Sequence, residues 1–306
     1  MLSLIVPMYN EEAVIPVFFR TIIPILEALP VQWEIICVND GSRDKTLSLL
    51  TDYNKNDARI KVINLSRNFG KENALTAGLD HASGEALIPI DVDLQDPPEF
   101  IPIMVNAWLA GADIVNAARK DRQTDTWAKR TTSRYFYRIV NLISNVELAQ
   151  DVGDYRLISR RAADAVRSLR ERRRFMKGLF SWVGFSVETI YYDRAPRAAG
   201  TTKWNYWKLW NLALEGITSF STVPLRIATY LGLSAAVLSL TYALYLVLDT
   251  LFFGNPVSGY PSLMTAILFL GGVQLIFIGV VGEYVGRIHE EVKQRPIYIV
   301  ASTKGF

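Results

Sequence analysis

The stretch LIPIDVDLQDPPE, residues 87–99, decides the fold and the site of this chain. Its apolar start, residues 87–90, predicts a short buried strand. The strand leads into a loop, stiffened by two prolines, that carries four polar side chains: Asp91, Asp93, Gln95 and Asp96. Two carboxylates spaced one residue apart at the carboxyl end of a strand can bind one hard divalent cation, which usually takes phosphate oxygens as further ligands. A solvated acidic turn is the alternative for so short a pattern.

Strands and helices alternate over the first hundred residues. Apolar runs at residues 1–7, 33–38 and 60–64 predict strands, and each is followed by a polar turn and a helix. Further strands are predicted at residues 113–117 and 186–192. The alternation predicts right-handed β-α-β crossovers and a doubly wound α/β sheet. The first run lacks the basic region and cleavage site of a signal peptide, so we expect the N-terminus to stay in the cytosol.

The polar turns after these strands mark the expected site. In a doubly wound sheet the ligand lies outside the carboxyl ends of the strands. The turns at residues 9–11, 40–42, 66–71 and 91–95 are therefore expected to share one crevice. The chain contains neither a G-x-G-x-x-G nor a Walker sequence, so a dinucleotide or P-loop site is not expected. Carboxylates at the strand ends indicate metal-assisted nucleotide binding instead.

The single cysteine and the two histidines limit the chemistry. Cys37 lies in a predicted buried strand, fits a reducing compartment and excludes an intrachain disulfide. His81 and His289 lack a Cys or His partner at ligand spacing, so a histidine-based zinc site is not expected.

The apolar residues concentrate in the last third of the chain. Hydrophobic residues make up 50% of the 306 residues. Two apolar runs, at about residues 227–248 and 263–284, approach the roughly 20 residues that a bilayer core requires. The loop between them has no basic residue, whereas both outer flanks carry Lys and Arg. The positive-inside rule therefore predicts a multi-pass protein of the plasma membrane, with the large domain and both termini in the cytosol.

Small residues line the second apolar run. Its glycines form a face that can pack against the first run or against a neighbouring subunit, so a homo-oligomer is one of two alternatives.

The middle of the chain is basic. Residues 119–177 contain about 16 Lys and Arg against about 7 acids, or roughly +9 locally. Next to two membrane segments, this charge predicts contact with anionic headgroups or a phosphorylated lipid. No nucleic-acid motif accompanies it, so no nucleic-acid partner is expected. Residues 127–146 and 204–220 read as amphipathic helices rich in aromatic residues, which lie in the membrane interface or pack on their own domain.

Seven motifs carry a family resemblance over nearly the whole chain. They are Pro7-Met-Tyr-Asn-Glu-Glu12, Asn39-Asp-Gly-Ser42, Arg67-Asn-Phe-Gly-Lys71, the 91–99 loop, Gly153-Asp-Tyr-Arg156, Arg174-Phe-Met-Lys-Gly178 and Lys203-Trp-Asn-Tyr-Trp207. With them the chain resembles the inverting family 2 glycosyltransferases of GT-A fold. More narrowly, it is similar to polyprenyl-phosphate glycosyltransferases, which include the bactoprenol glucosyltransferases of O-antigen glucosylation systems and dolichol-phosphate mannose synthases.

The resemblance implies an architecture. It is an α/β fold: a GT-A doubly wound mixed sheet with interfacial amphipathic helices and two C-terminal transmembrane helices. The implied bounds are residues 1–200 for a cytosolic glycosyltransferase domain, 201–225 for an interfacial region, 226–286 for a transmembrane hairpin and 287–306 for a cytosolic tail.

The resemblance also assigns roles to residues. Catalytic roles fall to Asp93, Asp154 and Arg119. The donor nucleotide would be bound by Pro7, Tyr9, Glu11, Asp40, Asp91, Arg197 and Lys203. The acceptor phosphate would meet Lys129, Arg130 and Ser133. A Mg²⁺ or Mn²⁺ ion would be held by Asp91, Asp93 and Gln95.

The implied reaction moves a hexose, with glucose as the first expectation, from a UDP-sugar to polyprenyl phosphate with inversion. A phosphate monoester is largely ionised at pH 7, so a strong general base is not required. Asp154 is then expected to orient the acceptor or polarise a sugar hydroxyl, with a surface salt bridge to Arg156 as the alternative. GDP-mannose and UDP-aminosugar donors stay open, as does a non-catalytic membrane component that binds lipid phosphate. A processive synthase is disfavoured, because no Gln-x-x-Arg-Trp segment occurs.

Overall fold

The computed structural model describes residues 1–119, 152–172, 174–192, 223–253 and 259–306. The chain divides into two compact units, one of Met1–Gly216 with Pro296–Phe306 and one of Ile217–Arg295. The amphipathic helices predicted at 127–146 and 204–220 lie outside the described residues.

The first unit is built on one mixed sheet. Its strands are β1 (Leu2–Met8), β2 (Trp33–Asn39), β3 (Ile60–Leu65), β4 (Ala86–Pro89), β5 (Ile114–Arg119), β6 (Val152–Ser159), β7 (Val187–Tyr192) and β8 (Val300–Lys304). Their order across the sheet is β7-β5-β6-β4-β1-β2-β3-β8. Strands β1 to β4 run parallel, while β6 is antiparallel to both β4 and β5. The predicted α/β mixed sheet is confirmed.

Six helices and one 3₁₀ turn accompany the described strands of this unit. The helices are α1 (Ile15–Glu27), α2 (Thr46–Asn56), α3 (Lys71–His81), α4 (Ile101–Leu109), α5 (Arg160–Ser168) and α6 (Met176–Trp182), and the 3₁₀ turn is Pro98–Phe100. Helix α1 buries Ile15, Phe18, Phe19, Ile22 and Leu26, the spacing of one helix face.

Helix α3 lies very close to the sheet. A Cβ at Gly78 would collide with the side chain of Ile5 on β1, so the glycine permits this approach. Strand β1 is apolar and almost fully buried, as expected for a parallel strand covered on both faces.

The C-terminal strand β8 was not predicted. It pairs antiparallel with β3 at the edge of the sheet, and the Ser66 amide just beyond β3 donates to the Ile299 carbonyl at 2.9 Å. The hydroxyl of Tyr298 donates to Asp80 on α3 at 2.8 Å. Strand β8 reads VASTK and is mostly exposed, so it has no apolar run to reveal it.

The second unit contains two long helices, α7 (Val223–Phe253) and α8 (Tyr260–Val292). Both apolar runs predicted from the sequence are therefore helical. Among the residues that the structure describes, the stretch Phe269–Val292 is long and apolar enough to cross a membrane, judged by length and composition. That two helices do so stays a prediction.

Candidate functional site

The carboxyl ends of the parallel strands bring the four predicted turns together. Met8 of β1 is in register with Asn39 of β2, and Asn39 with Asn64 of β3. The side-chain amide of Asn39 donates to the side-chain oxygen of Asn64 at 2.8 Å. The contacts described below then connect each turn to its neighbour, so the prediction that these turns meet is confirmed.

Reciprocal hydrogen bonds connect the turns that follow β1 and β2. The Asn10 amide donates to the Ser42 hydroxyl, and the Arg43 amide donates to the side-chain oxygen of Asn10, both at 2.9 Å. The Lys45 amide donates to the carboxylate of Glu12 at 2.9 Å. Asn10 has a φ of 56°, a conformation that asparagine tolerates better than most residues. These bonds fix the shape of the surface on which a nucleotide is predicted to bind.

The predicted nucleotide residues of these turns differ in exposure. Pro7 lies in β1 opposite Val38. Tyr9 is 43% exposed, so its ring is available to a ligand, whereas Asp40 is 3% exposed. The amide of Glu11 donates to the Thr46 hydroxyl at 2.9 Å, which fixes its backbone at the start of α2.

Asp40 shapes the turn before α3. Its carboxylate accepts the backbone amides of Phe69 at 2.7 Å and Gly70 at 2.9 Å. Burial raises the pKa of Asp40, and these two bonds oppose that shift. Gly41 has a φ of 66°, and a Cβ there would lie 2.6 Å from the Asn68 amide nitrogen, so only glycine fits. Asp40 therefore has a structural role at the base of the site, and its contact with a nucleotide base stays a prediction.

Lys71, the first residue of α3, joins two of the predicted site carboxylates. Its ammonium lies 2.8 Å from Asp91 Oδ1, 2.9 Å from Asp91 Oδ2 and 2.8 Å from Asp154 Oδ2. Desolvation opposes the charge on Lys71, but the two carboxylates outweigh it and raise the pKa of the ammonium. Lys71 lies in one of the sequence motifs, but no role was assigned to it from the sequence. Its two partners are 20 and 83 residues away, so local sequence does not reveal the contact.

The predicted metal residues share one tight turn. The carboxylate of Asp93 accepts the backbone amide of Gln95 at 3.2 Å, which closes an Asx turn. Leu94 between them has a φ of 55°, an uncommon conformation for a residue of this shape. Asp91 and Asp93 are partly exposed, and Gln95 is 5% exposed.

This donor set fits a hard divalent ion. Carboxylate and amide oxygens are the ligands that Mg²⁺ and similar ions take in proteins, and such sites complete their shells with phosphate oxygens and water. Both oxygens of Asp91 already face a cation, the ammonium of Lys71. Within the described ranges no group of three or more His, Cys, Asp or Glu side chains is placed to hold a metal. A metal here would therefore depend on substrate oxygens as well as on the protein.

Two buried tyrosines anchor the far end of the loop. The Tyr192 hydroxyl donates to the carboxylate of Asp96 at 2.7 Å, and the Tyr155 hydroxyl donates to the Pro97 carbonyl at 2.9 Å. Their rings meet edge to face, with centroids 6.3 Å apart. Asp96 is thus bound to Tyr192 of the sheet. Although Asp96 is next to Gln95 in sequence, this contact gives it a structural role.

Charged residues from three elements surround Asp154, and we call them the β6 charge cluster: Lys71, Glu72, Asp154, Arg156 and Lys177. Burial would raise the pKa of Asp154, but the charges of Lys71 and Lys177 outweigh it and lower the pKa to about 2. Burial and the charge of Asp154 raise the pKa of Glu72 to about 8. Asp154 Oδ1 and Glu72 Oε2 are buried without a hydrogen-bond partner among the described residues.

Arg156 has no surface salt bridge with Asp154 in the described structure. It is 3% exposed and donates to the Gly153 carbonyl at 2.7 Å. Its guanidinium lies 4.4 Å from the ring centre of Phe180, and burial lowers its pKa to about 10. Among the residues that the structure describes, Asp154 forms its ion pair with Lys71.

The remaining predicted site residues are mostly beyond the described ranges. Arg119 ends β5, where its backbone is in register with Tyr192 of β7. Arg197, Lys203, Lys129, Arg130 and Ser133 lie outside the residues that the structure describes.

Part of the basic segment serves the fold. Arg160 and Arg167 donate to carbonyls at the end of α3, with distances of 3.0 Å from Arg160 to Ala82 and 2.7 Å from Arg167 to Leu79. Cations at a helix C-terminus satisfy free carbonyls and complement the helix dipole. Arg161 is 2.6 Å from Asp113. Some of the basic residues that were predicted to contact lipid headgroups thus bind backbone carbonyls or a carboxylate of their own domain.

Comparison with known proteins identifies the family of the chain. The profile of Glycosyl transferase family 2 matches residues 3–167, and that of the GtrB C-terminal hairpin matches residues 223–288. A bactoprenol glucosyl transferase of Shigella phage SfV is 54% identical over 303 residues, covering 99% of each chain. An uncharacterized glycosyltransferase of Synechocystis is 53% identical over 304 residues, covering 99% of this chain and 96% of the relative.

Solved structures give a weaker likeness. Glucosyl-3-phosphoglycerate synthase of Mycobacterium tuberculosis, crystallised with Mn²⁺, UDP-glucose and phosphoglyceric acid, is 20% identical, with a TM-score of 0.48 and coverage of 70% of this chain and 76% of that chain. The family assignment rests on the sequence matches. With more than half of its length matched by the family profile and full-length relatives above half identity, the chain belongs to glycosyl transferase family 2.

Proposed function

We propose that this family 2 glycosyltransferase moves glucose from UDP-glucose to a polyprenyl phosphate at the cytosolic face of the membrane, with a divalent cation as cofactor. One observation carries the proposal: the Asp91–Asp93 turn, Lys71 and Asp154 meet at the carboxyl ends of parallel strands. The names of full-length relatives, bactoprenol glucosyl transferases of Shigella phages, support the choice of sugar and acceptor.

Asp91, Asp93 and the side-chain oxygen of Gln95 would hold the cation, as Mg²⁺ or Mn²⁺. When bound, such an ion offsets the negative charge that develops on a departing diphosphate. The nucleotide would lie on the turns after β1 and β2, against Tyr9, with Glu11 and Asp40 beneath it. We keep Arg119, Arg197 and Lys203 as the proposed cations for the donor diphosphate.

In the proposed reaction an oxygen of the acceptor phosphate attacks the anomeric carbon. A bond forms between these two atoms while the bond from that carbon to the UDP oxygen breaks, which inverts the configuration. The acceptor phosphate is already largely ionised near pH 7. Asp154, with a pKa of about 2, has little tendency to take up a proton at that pH. Its proposed role is therefore to orient the acceptor or a sugar hydroxyl, with Lys129, Arg130 and Ser133 binding the acceptor phosphate.

The membrane arrangement is part of the proposal. Helices α7 and α8, of 31 and 33 residues, both exceed the roughly 20 residues that a bilayer core requires. We propose that both cross the plasma membrane, that both termini are cytosolic, and that residues 201–225 lie in the interface. The glycine face of α8 is a proposed contact with α7 or with a second subunit.

The proposal is tested with the full-length chain in detergent or nanodiscs. Labelled UDP-glucose, UDP-aminosugars and GDP-mannose are supplied in turn with a short polyprenyl phosphate, with Mg²⁺, with Mn²⁺ or with chelator. We expect transfer from UDP-glucose that stops with chelator. Faster transfer from another donor would show that the sugar is not glucose from UDP-glucose. Binding of the lipid phosphate without transfer from any donor would favour the non-catalytic alternative.

A further inference from the structure

Lys71 takes the place of a cation on Asp91. Its ammonium contacts both oxygens of Asp91, at 2.8 and 2.9 Å. These are the oxygens that a divalent ion would use, at the shorter distances of roughly 2.0 to 2.6 Å that such ions prefer. The ammonium and the ion therefore compete for the same carboxylate.

Hydrogen bonds hold the backbone on both sides of the contact between Lys71 and Asp91. The carboxylate of Asp40 accepts hydrogen bonds from the amides of Phe69 and Gly70, the two residues before Lys71. On the other side, the Ile90 amide donates to the Ile5 carbonyl at 3.0 Å, which holds the start of the acidic loop on β1. The two backbone segments are thus fixed by hydrogen bonds, and a change of partner at Asp91 would involve the side chain of Lys71.

The contact between Lys71 and Asp91 is partly open to water. The two side chains are 42% and 40% exposed, so water screens their attraction. Asp154 is only 19% exposed, and its Oδ1 is buried without a hydrogen-bond partner among the described residues. Asp154 therefore offers Lys71 a second acceptor oxygen when Asp91 is taken by another cation.

We propose that Lys71 is a positioning residue that makes metal binding depend on the donor nucleotide. The inference rests on the proposed function of the site. A divalent ion on Asp91 would repel the nearby ammonium, so the ion alone binds weakly. The diphosphate brings negative charge that binds both the ion and the displaced ammonium. Metal and nucleotide then strengthen each other's binding, and this coupling is reciprocal.

The test measures Mn²⁺ binding to the full-length chain by electron paramagnetic resonance, without and with UDP. For the wild type we expect UDP to tighten Mn²⁺ binding by about 10-fold or more, within the usual range of coupling between sites. In Lys71→Met, Mn²⁺ alone should bind more tightly than in the wild type, and UDP should add about 3-fold or less. Turnover should fall.

Two variants serve as controls. Lys71→Arg keeps the charge and should keep most of the coupling, which separates the charge from a general loss of structure. Lys55→Met removes an exposed lysine of α2, paired with Asp52, and should behave as the wild type.

The inference is overturned if Lys71→Met binds Mn²⁺ alone no more tightly than the wild type, or if its coupling to UDP is unchanged. It is also overturned if the wild type binds no Mn²⁺ with UDP. These results are independent of the sugar: a wild type that couples Mn²⁺ to UDP through Lys71 but transfers no glucose contradicts the proposed function alone.

Discussion

Hydrogen bonds between side chains and backbone amides hold the turns after β1 and β2, whereas charges hold the β6 charge cluster. In the first region, Asn10, Asp40 and Ser42 form hydrogen bonds with backbone amides, which carry no net charge. In the second, Lys71 is shared between two carboxylates. The comparison places a surface held by backbone hydrogen bonds, where we propose that the nucleotide binds, beside a region held by ionic contacts.

The largest expected effect comes from removing a carboxylate of the proposed metal site, which adjoins the β6 charge cluster through Asp91 and Lys71. Asp93→Ala should reduce metal-dependent transfer by about 100-fold or more, because the ion that offsets the departing diphosphate loses a ligand. Initial rates over a Mn²⁺ titration measure this loss. The thermal unfolding midpoint should stay near that of the wild type, and turnover near the wild-type rate would remove Asp93 from the metal site.

Asp154→Asn should have the next largest effect, on turnover. The variant keeps the shape of the side chain and removes the charge that faces Lys71, so we expect a loss of turnover of about 10- to 100-fold. Because the pKa of Asp154 is about 2, this residue does not titrate between pH 5 and 7. The activities of the wild type and the variant should therefore depend on pH in the same way over this range. A rate limb in that range, lost only in Asp154→Asn, would instead assign Asp154 as a base.

Gly41→Ala tests the region held by backbone hydrogen bonds. The new Cβ would meet the backbone at Arg67 and Asn68, and φ at this position is 66°. We expect a loss of roughly 2 kcal/mol or more in unfolding free energy. Denaturant unfolding of the full-length chain measures it. Gly111→Ala is the matched control, with a φ of 110° and nothing within 4 Å of the new Cβ, so it separates backbone strain from the collision.

Glu72→Gln should have the smallest effect, seen in the pH dependence of stability. The pKa of Glu72 is about 8 in the fold against an ordinary 4.5, because burial and the charge of Asp154 raise it more than Lys71 and Lys177 lower it. Between these values the unfolded chain releases a proton that the fold retains, so wild-type stability falls as pH rises. The variant lacks this loss.

The unfolding midpoint of Glu72→Gln should therefore rise relative to that of the wild type as the pH increases from 5 to 8. Well below pH 4.5, Glu72 is protonated in both the folded and the unfolded chain, so the difference between the two midpoints should no longer change with pH. An offset that does not vary with pH would show that Glu72 keeps its ordinary ionisation.

Much of the sheet could be predicted because its strands are apolar runs bounded by polar turns. Strands β1, β2 and β3 begin and end within a residue or so of the predicted positions, and β5 and β7 lie close to theirs. Strand β6 was not assigned, since Asp154 and Arg156 interrupt its apolar pattern. Those same charges are what the strand contributes to the site.

The contacts of the site were less predictable than its motifs. Asp91 and Asp154 were singled out from local sequence, but their meeting through Lys71 depends on the order of β1, β4 and β6 across the sheet. The anchoring of Asp96 by Tyr192 joins residues 96 positions apart. No spacing rule connects such residues, because the sheet and not the chain makes them neighbours.

Strand β8 has a consequence for the order of assembly. The strand that pairs with the β3 edge of the catalytic sheet is made after both long helices, so this edge of β3 lacks β8 until the helices have been synthesised. Unpaired edges invite association with other chains. A catalytic fragment cut before α7 would lose this cover, and its solubility would depend on supplying residues 296–306 in trans or by fusion.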